Sequence, residues 1–408
     1  MNQSIVVTGI GVITPLGNSV EKFWGNCILG NSGIKQISGF DTSVYKSHLG
    51  GEISDFNPRE FMSPMQYRKM SKASRFAVSA SIQALKDAAL PIVDSNADRI
   101  GVIIGTGYGS TSHTDEFFLS LLKEGPGGAQ PFLFSETVPN APASQISIYH
   151  GIKGPLSTIS YNNVSGELAI GYAFDLLQSG TADAILVGGV DELNDIIFHS
   201  CAMLGVLSPQ DGGREVIRPF DKESNGVILG EGAGVLILER EDYALKRGAV
   251  PYGRICGYAS SGNPTEIGKY EISGDYTART IQKALSTSNI TKEDINFISA
   301  AANSSKELDH LEAKAIKKAF AELAQRIPVS ALKSQIGEFA GMGVVRAAAI
   351  LLSFRDQIIS PTINLENRDE NCDFLHVPLK PVSQPVRTAL LNGISFGGVN
   401  VSIIFQKV

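Results

Sequence analysis

The chain is poor in cysteine, and none of its cysteines has a neighbour. Cys27, Cys201, Cys256 and Cys372 are far apart, with no CxxC and no histidine at metal-ligand spacing. A metal motif or redox pair is therefore not expected, and the thiols read as ordinary buried or half-buried groups of a cytosolic protein. No hydrophobic run is long enough to span a membrane. The opening Met1–Gly9 runs straight into a strand pattern without a basic leader, so no signal peptide is expected. Blocks of like charge are also missing. Acids and bases are interspersed at a formal net charge of -6, which argues against nucleic acid and anionic membrane, and leaves room for a local basic patch facing an acidic carrier. There is no low-complexity segment and no Pro/Ser linker.

What the chain does have is length and glycine. Its 408 residues, 43% of them hydrophobic and 42 of them Gly, suffice for two large cores or two fused halves. Short apolar runs ending in glycine alternate with helical patterns, the mark of an α/β protein. Strands are expected at Ile5–Thr8, Ile100–Ile104, Ala184–Val187, Gly234–Glu239, Ile295–Ala300, Ala389–Leu391 and Val401–Phe405. Helices are expected at Ser19–Leu29, Lys72–Ala89, His113–Lys123, Glu167–Gln178, Tyr270–Ser286, Lys306–Ala321 and Val344–Arg355. The run Ile185-Leu186-Val187-Gly188-Gly189 is echoed by Leu390-Leu391-Asn392-Gly393. This weak duplication suggests halves of about 1–250 and 251–408 forming one body.

One corner draws attention. A Ser/Thr-rich apolar strand ends near Tyr161, and a helix rich in small residues begins after Ser165. Such a turn aims backbone N–H groups and the positive end of a helix dipole at its apex. Cysteine at that apex would be a reactive thiolate, but the residue is Asn163. Ser165 is a poor substitute nucleophile, since Asn163-Val164-Ser165-Gly166 lacks the first glycine of a G-x-S-x-G elbow.

Several blocks, in order, resemble the β-ketoacyl synthases of the thiolase superfamily. They are Val6 through Gly17, Arg218-Pro219-Phe220-Asp221-Lys222 with Gly226, Gly230-Glu231-Gly232-Ala233-Gly234, Pro361-Thr362-Ile363-Asn364-Leu365, and Asn392 through Asn400 with Phe396-Gly397-Gly398. The resemblance covers nearly the whole chain. It implies a five-layered αβαβα thiolase fold and a site of one acylated cysteine and two histidines. Carried over by motif, the cysteine falls on Asn163, the first histidine on Ala301 and the second on Glu338. Lys333 is kept, the glutamate that usually follows it is Ala347, and Phe396 sits in the last block.

With the reactive side chains gone, the chain looks like a chain-length factor, the non-catalytic partner of a bacterial type II polyketide synthase. The resemblance implies a heterodimer with a catalytic ketosynthase, an acyl-carrier protein as second partner, and no cofactor or metal. It places a chain-length pocket at Thr114, Phe117, Phe118 and Leu121, on the helix bordering the growing acyl chain. A segment crossing to the partner is implied at Phe132, Phe134, Thr137 and Val138. On sequence grounds alone, the first group is also an ordinary core face. Asn163 is expected to be inert and hydrogen-bonded, Lys333 and Glu338 to pair in the abandoned pocket, and His310 to be a surface or packing histidine. Two rivals remain: a malonyl-carrier-protein decarboxylase or divergent ketosynthase, and a homodimeric carrier-binding module.

Overall fold

A computed structural model describes residues 3–266 and 268–408. Ten strands, numbered here along the chain, build the main sheet. They are β1 (Ile5–Ile13), β2 (Ile100–Gly105), β3 (Leu156–Ile159), β4 (Ala184–Asp191), β5 (Gly232–Arg240), β6 (Gly253–Gly262), β7 (Phe297–Ser299), β8 (Val329–Ser330), β9 (Thr388–Ile394) and β10 (Val399–Gln406). Their spatial order is β8-β7-β9-β10-β6-β1-β5-β4-β2-β3.

That order contains a repeat. In the first half β1 runs antiparallel to β5, β5 antiparallel to β4, and β4 and β2 parallel to their outer neighbours. In the second half β6, β10, β9, β7 and β8 reproduce the same sequence of directions. The two five-stranded units meet where Ile5, Val6 and Val7 pair with Ile255, Arg254 and Gly253. The weak duplication in the sequence is thus a duplication of topology.

Two helices, Ser165–Gln178 and Met342–Asp356, lie between the two units. Their Ala169, Ile170, Ala173, Val344, Val345 and Leu351 share one buried cluster with residues of β1, β4, β5, β9 and β10. On the outer face of the first unit, helix Lys72–Asp87 starts from Ser71, whose hydroxyl accepts from Ser74 N, and buries Phe76, Ala77, Ala80 and Ala84 at helical spacing. On the outer face of the second, Asp275–Ser288 buries Ile281, Ala284 and Leu285 beside Lys306–Phe320. The result is the expected αβαβα thiolase-type fold. Backbone contacts at its centre require glycine: a Cβ on Gly189 would strike the Gly341 carbonyl, and one on Gly105 the Ser165 carbonyl.

Each expected strand and helix overlaps an observed one. The helix expected from Tyr270 starts only at Asp275, because Gly274 takes a left-handed φ of 76° and breaks the run before it. Strands β6 and β8 and helices Ala141–His150 and Asp195–Met203 were not anticipated. β6 is rich in Gly and Ser, and β8 has only two residues, so neither carries a clear apolar period. No helix among the described residues is long and apolar enough to cross a membrane.

Candidate functional site

The corner after β3 has the geometry expected of a nucleophile turn. Asn162 adopts φ 44°, and residues Asn162–Val164 form a single 3₁₀ turn leading into the central helix at Ser165. Gly166 N donates to Ala340 O at 3.2 Å, tying the turn to the other half. Asn163 is half-buried, and no side-chain hydrogen bond joins it to another of the described residues. The expectation that it would be held by hydrogen bonds finds no support here: the bonds that stabilise the turn are made by the Ser165 hydroxyl and by Gly166 N. Ser165 is engaged instead. Its buried hydroxyl accepts from Tyr161 N at 2.8 Å and donates to Asn162 O at 2.8 Å, so it is an internal cap and no free nucleophile.

The two positions to which the resemblance assigns histidines, Ala301 and Glu338, sit in the second half. Ala301 follows β7 and is buried beside Leu308, Leu311 and Ile394. Its N–H and that of Ala302 donate to the two oxygens of Glu312 at 2.8 and 2.7 Å. Lys333 Nζ lies 2.8 Å from Glu338 Oε2 and donates to Ala301 O at 2.9 Å, with side-chain exposures of 2% and 7% for the pair. Asn303 Nδ2 donates to the same Glu338 oxygen at 2.7 Å, while Glu338 Oε1 has no partner. The ion pair expected between Lys333 and Glu338 is present, and through Lys333 it connects Glu338 with Ala301. Phe396 is half-buried, edge-on to Tyr270 at 6.4 Å, and precedes Gly397 and Gly398, both with positive φ.

Sequence reasoning missed a second buried pair. Arg346 precedes Ala347 and is almost wholly buried. Its Nη1 contacts Glu167 Oε1 at 3.0 Å, and its Nη2 donates to the carbonyls of Ser299 and Asn392 at 2.6 and 2.7 Å. Burial raises the Glu167 pKa against the opposing pull of Arg346 and Lys333. Burial also lowers that of Arg346, against its carboxylate neighbours. A cation thus stands next to Ala347, and an anion four residues after Asn163. The visible signal was a charge among the small and apolar residues of the first two turns of each of these helices.

The proposed chain-length helix is observed as Thr111–Glu124. Phe117 is its buried residue, with rings of Phe118 and Phe134 at 5.5 and 5.6 Å. Thr114 donates to the carbonyls of Ser110 and Thr137, linking this helix to the following segment. Leu121 is half-buried. Phe118 departs from the expected inward face and is half-exposed beside exposed Leu119 and Leu122. Phe132, Phe134 and Val138 are exposed as well, and Thr137 is half-buried. Strand β3 forms one edge of the sheet, with Leu156 and Tyr161 exposed along it.

Residues 2–244 match the family described as Beta-ketoacyl synthase, N-terminal domain, and residues 252–366 its C-terminal domain. The chain is 37% identical over 408 residues to the 3-oxoacyl-[acyl-carrier-protein] synthase 2 of Synechocystis sp., covering 99% of this chain and 98% of that one. It is 34% identical to the synthase of the same name from Staphylococcus aureus (strain N315), covering 100% and 99%. Two solved structures superpose over the full length of both chains at 30% identity. One, at a TM-score of 0.92, is AntDE:AntF (apo), a type II PKS acyl-carrier protein in complex with its ketosynthase bound to the hexaketide. The other, at 0.91, is the ishigamide ketosynthase/chain length factor.

Proposed function

The chain belongs to the β-ketoacyl synthase family, and from that premise we propose that it is the chain-length factor of a type II polyketide synthase. It pairs with a catalytic ketosynthase that supplies the cysteine and histidines, and it forms the far wall of the tunnel in which the carrier-bound acyl chain grows. The observation that carries this reading is the Lys333–Glu338 ion pair, joined to Ala301 and Asn303 in the place of a Cys-His-His site. An acid at the second histidine position repels the carboxylate of a malonyl unit, and an alanine at the first gives its developing enolate no donor. Exposed Phe118, Phe132, Phe134 and Val138, with the edge strand β3, form a surface suited to burial against a related subunit.

The test is reconstitution. The chain alone, mixed with malonyl-carrier protein, should neither decarboxylate nor condense it. Together with an active type II ketosynthase it should elute as a 1:1 complex and yield chains of defined length. Condensation by the isolated chain would overturn the proposal. A second reading, a divergent ketosynthase or malonyl decarboxylase, draws on relatives named as synthases and on an Asn163 amide that makes no hydrogen bond among the described residues. It requires turnover in the single-subunit assay and loss of that turnover in Asn163→Ala.

A further inference from the structure

Helix Lys306–Phe320 carries His310 directly after Asp309, and the segment Asp369–Cys372 folds against it. His310 Nε2 is 2.9 Å from Asp369 Oδ2, and one ligand atom each of His310, Asp369 and Cys372 lies within 4.8 Å of the other two. We propose that these three side chains form a site for a divalent transition cation of zinc type, with water as the fourth ligand.

The donor set is imidazole, carboxylate and thiolate, which suits a borderline cation in tetrahedral coordination and suits magnesium or calcium poorly. Bonds near 2.0–2.1 Å place the nitrogen and oxygen ligands of a tetrahedral centre about 3.3 Å apart. The present His310–Asp369 contact therefore opens by only a few tenths of an ångström. Asp369 is already oriented, because its Oδ1 accepts from Asn371 N at 2.8 Å and Asn371 Nδ2 at 2.9 Å, leaving Oδ2 toward the imidazole. Cys372 is held to the same turn by its N–H, which donates to Asp369 O at 2.9 Å, while its thiol, among the described residues, has only the Asp309 carbonyl at 3.8 Å. The side chain of His310 is 28% exposed and offers the way in.

The same residue types would serve a thiol nucleophile, but the surroundings disfavour it. Cys372 is 2% exposed, and burial with the carboxylates of Asp309, Asp369, Glu312 and Asp373 pushes its thiol pKa up. The same carboxylates favour a dication at this place. On binding, the sulfur–proton bond is exchanged for a sulfur–metal bond, and the proton leaves to solvent past His310. The site would brace the pocket wall. Asp309 and Glu312 on the same helix accept from the N–H groups of Asn303, Ala301 and Ala302.

Titration of tag-free, chelator-treated chain with Co2+ tests this. The first equivalent should produce a thiolate-to-cobalt charge-transfer band and the visible bands of tetrahedral cobalt, and one equivalent of Zn2+ should erase them. Cys372→Ser should abolish the charge-transfer band, and His310→Ala, at a partly exposed position that the fold tolerates, should weaken Co2+ binding about tenfold or more. Absence of the bands at one equivalent overturns the site. So does unchanged affinity in His310→Ala, even if Cys372→Ser fails to fold.

Discussion

Replacing Glu338 with glutamine keeps the shape of the side chain and removes one charge from the Lys333 pair. The ammonium is then left at 2% exposure with the Ala301 carbonyl as its remaining close acceptor. Stranding a buried charge in this way costs about 3–5 kcal/mol. The lower end applies here for two reasons. The carboxylate of Glu167 acts on Lys333 from the same interior, and a glutamine carbonyl can still accept from Asn303. We therefore expect a loss of about 3 kcal/mol in Glu338→Gln. Adding Lys333→Met removes the stranded charge and leaves mainly the unsatisfied Ala301 carbonyl, so the double variant should recover about 2 kcal/mol of it. The assay is urea unfolding followed by fluorescence of the single tryptophan, Trp24, whose Nε1 donates to Asp356 Oδ2 at 2.6 Å on the neighbouring central helix. Midpoints are compared at constant slope. A loss below about 1 kcal/mol, or a double variant no more stable than the single, would refute the idea that these charges compensate each other.

Position 163 carries no thiol, so intact mass spectrometry after incubation with acyl-carrier protein or a cysteine-directed synthase inhibitor should show no adduct on the Asn162–Ser165 peptide. Asn163→Cys alone should not restore condensation, because Ala301 and Glu338 still supply no imidazole. Phe117→Ala opens a cavity that costs about 3–5 kcal/mol in a packed wall, and an acyl chain can enter it. In the reconstituted heterodimer, Phe117→Ala or Leu121→Ala should therefore lengthen the product by one or more extension units by mass spectrometry, and unchanged lengths in both would place the wall elsewhere. His150, whose imidazole lies 2.8 Å from Ser81 Oγ, has its pKa lowered by burial from 6.5 to about 4. The unfolded chain then binds the proton first, so this group's contribution is intact above pH 6.5 and is lost as pH falls toward 4. The loss should reach roughly 2 kcal/mol by pH 5, and His150→Gln should flatten that part of the stability profile; parallel profiles would remove His150 as the cause.

Local periodicity was enough to find the elements whose residues are buried all along or on one face. β1, β4 and β5 are continuous buried runs, and helix Lys72–Asp87 places Ala and Phe at helical spacing. β6 and the two-residue β8 escaped because their existence depends on neighbours supplied by distant parts of the chain. Ordered motif blocks pointed to positions 163, 301, 333 and 338 through the resemblance, since the absence of a cysteine or histidine from a motif is visible in one dimension. The Lys333–Glu338 pair was suggested by the same resemblance, since the lysine is kept while the glutamate that usually follows it is Ala347.

Other features depend on separations along the chain that no window spans. The Arg346–Glu167 pair joins residues 179 positions apart, and burial decides that the two must meet. The same holds for His310 with Asp369 and Cys372, which look unrelated by spacing and become neighbours only when the loop folds over the helix. Phe117 and Phe118 are equally apolar in sequence, yet one is buried and the other half-exposed, because the turn of a helix points consecutive residues about 100° apart. The ordered motif blocks specified the family and with it the layers of the fold. Which charges compensate, and which apolar rings remain available to a partner, was decided by tertiary packing, because both depend on distance and solvent exclusion between segments remote in sequence.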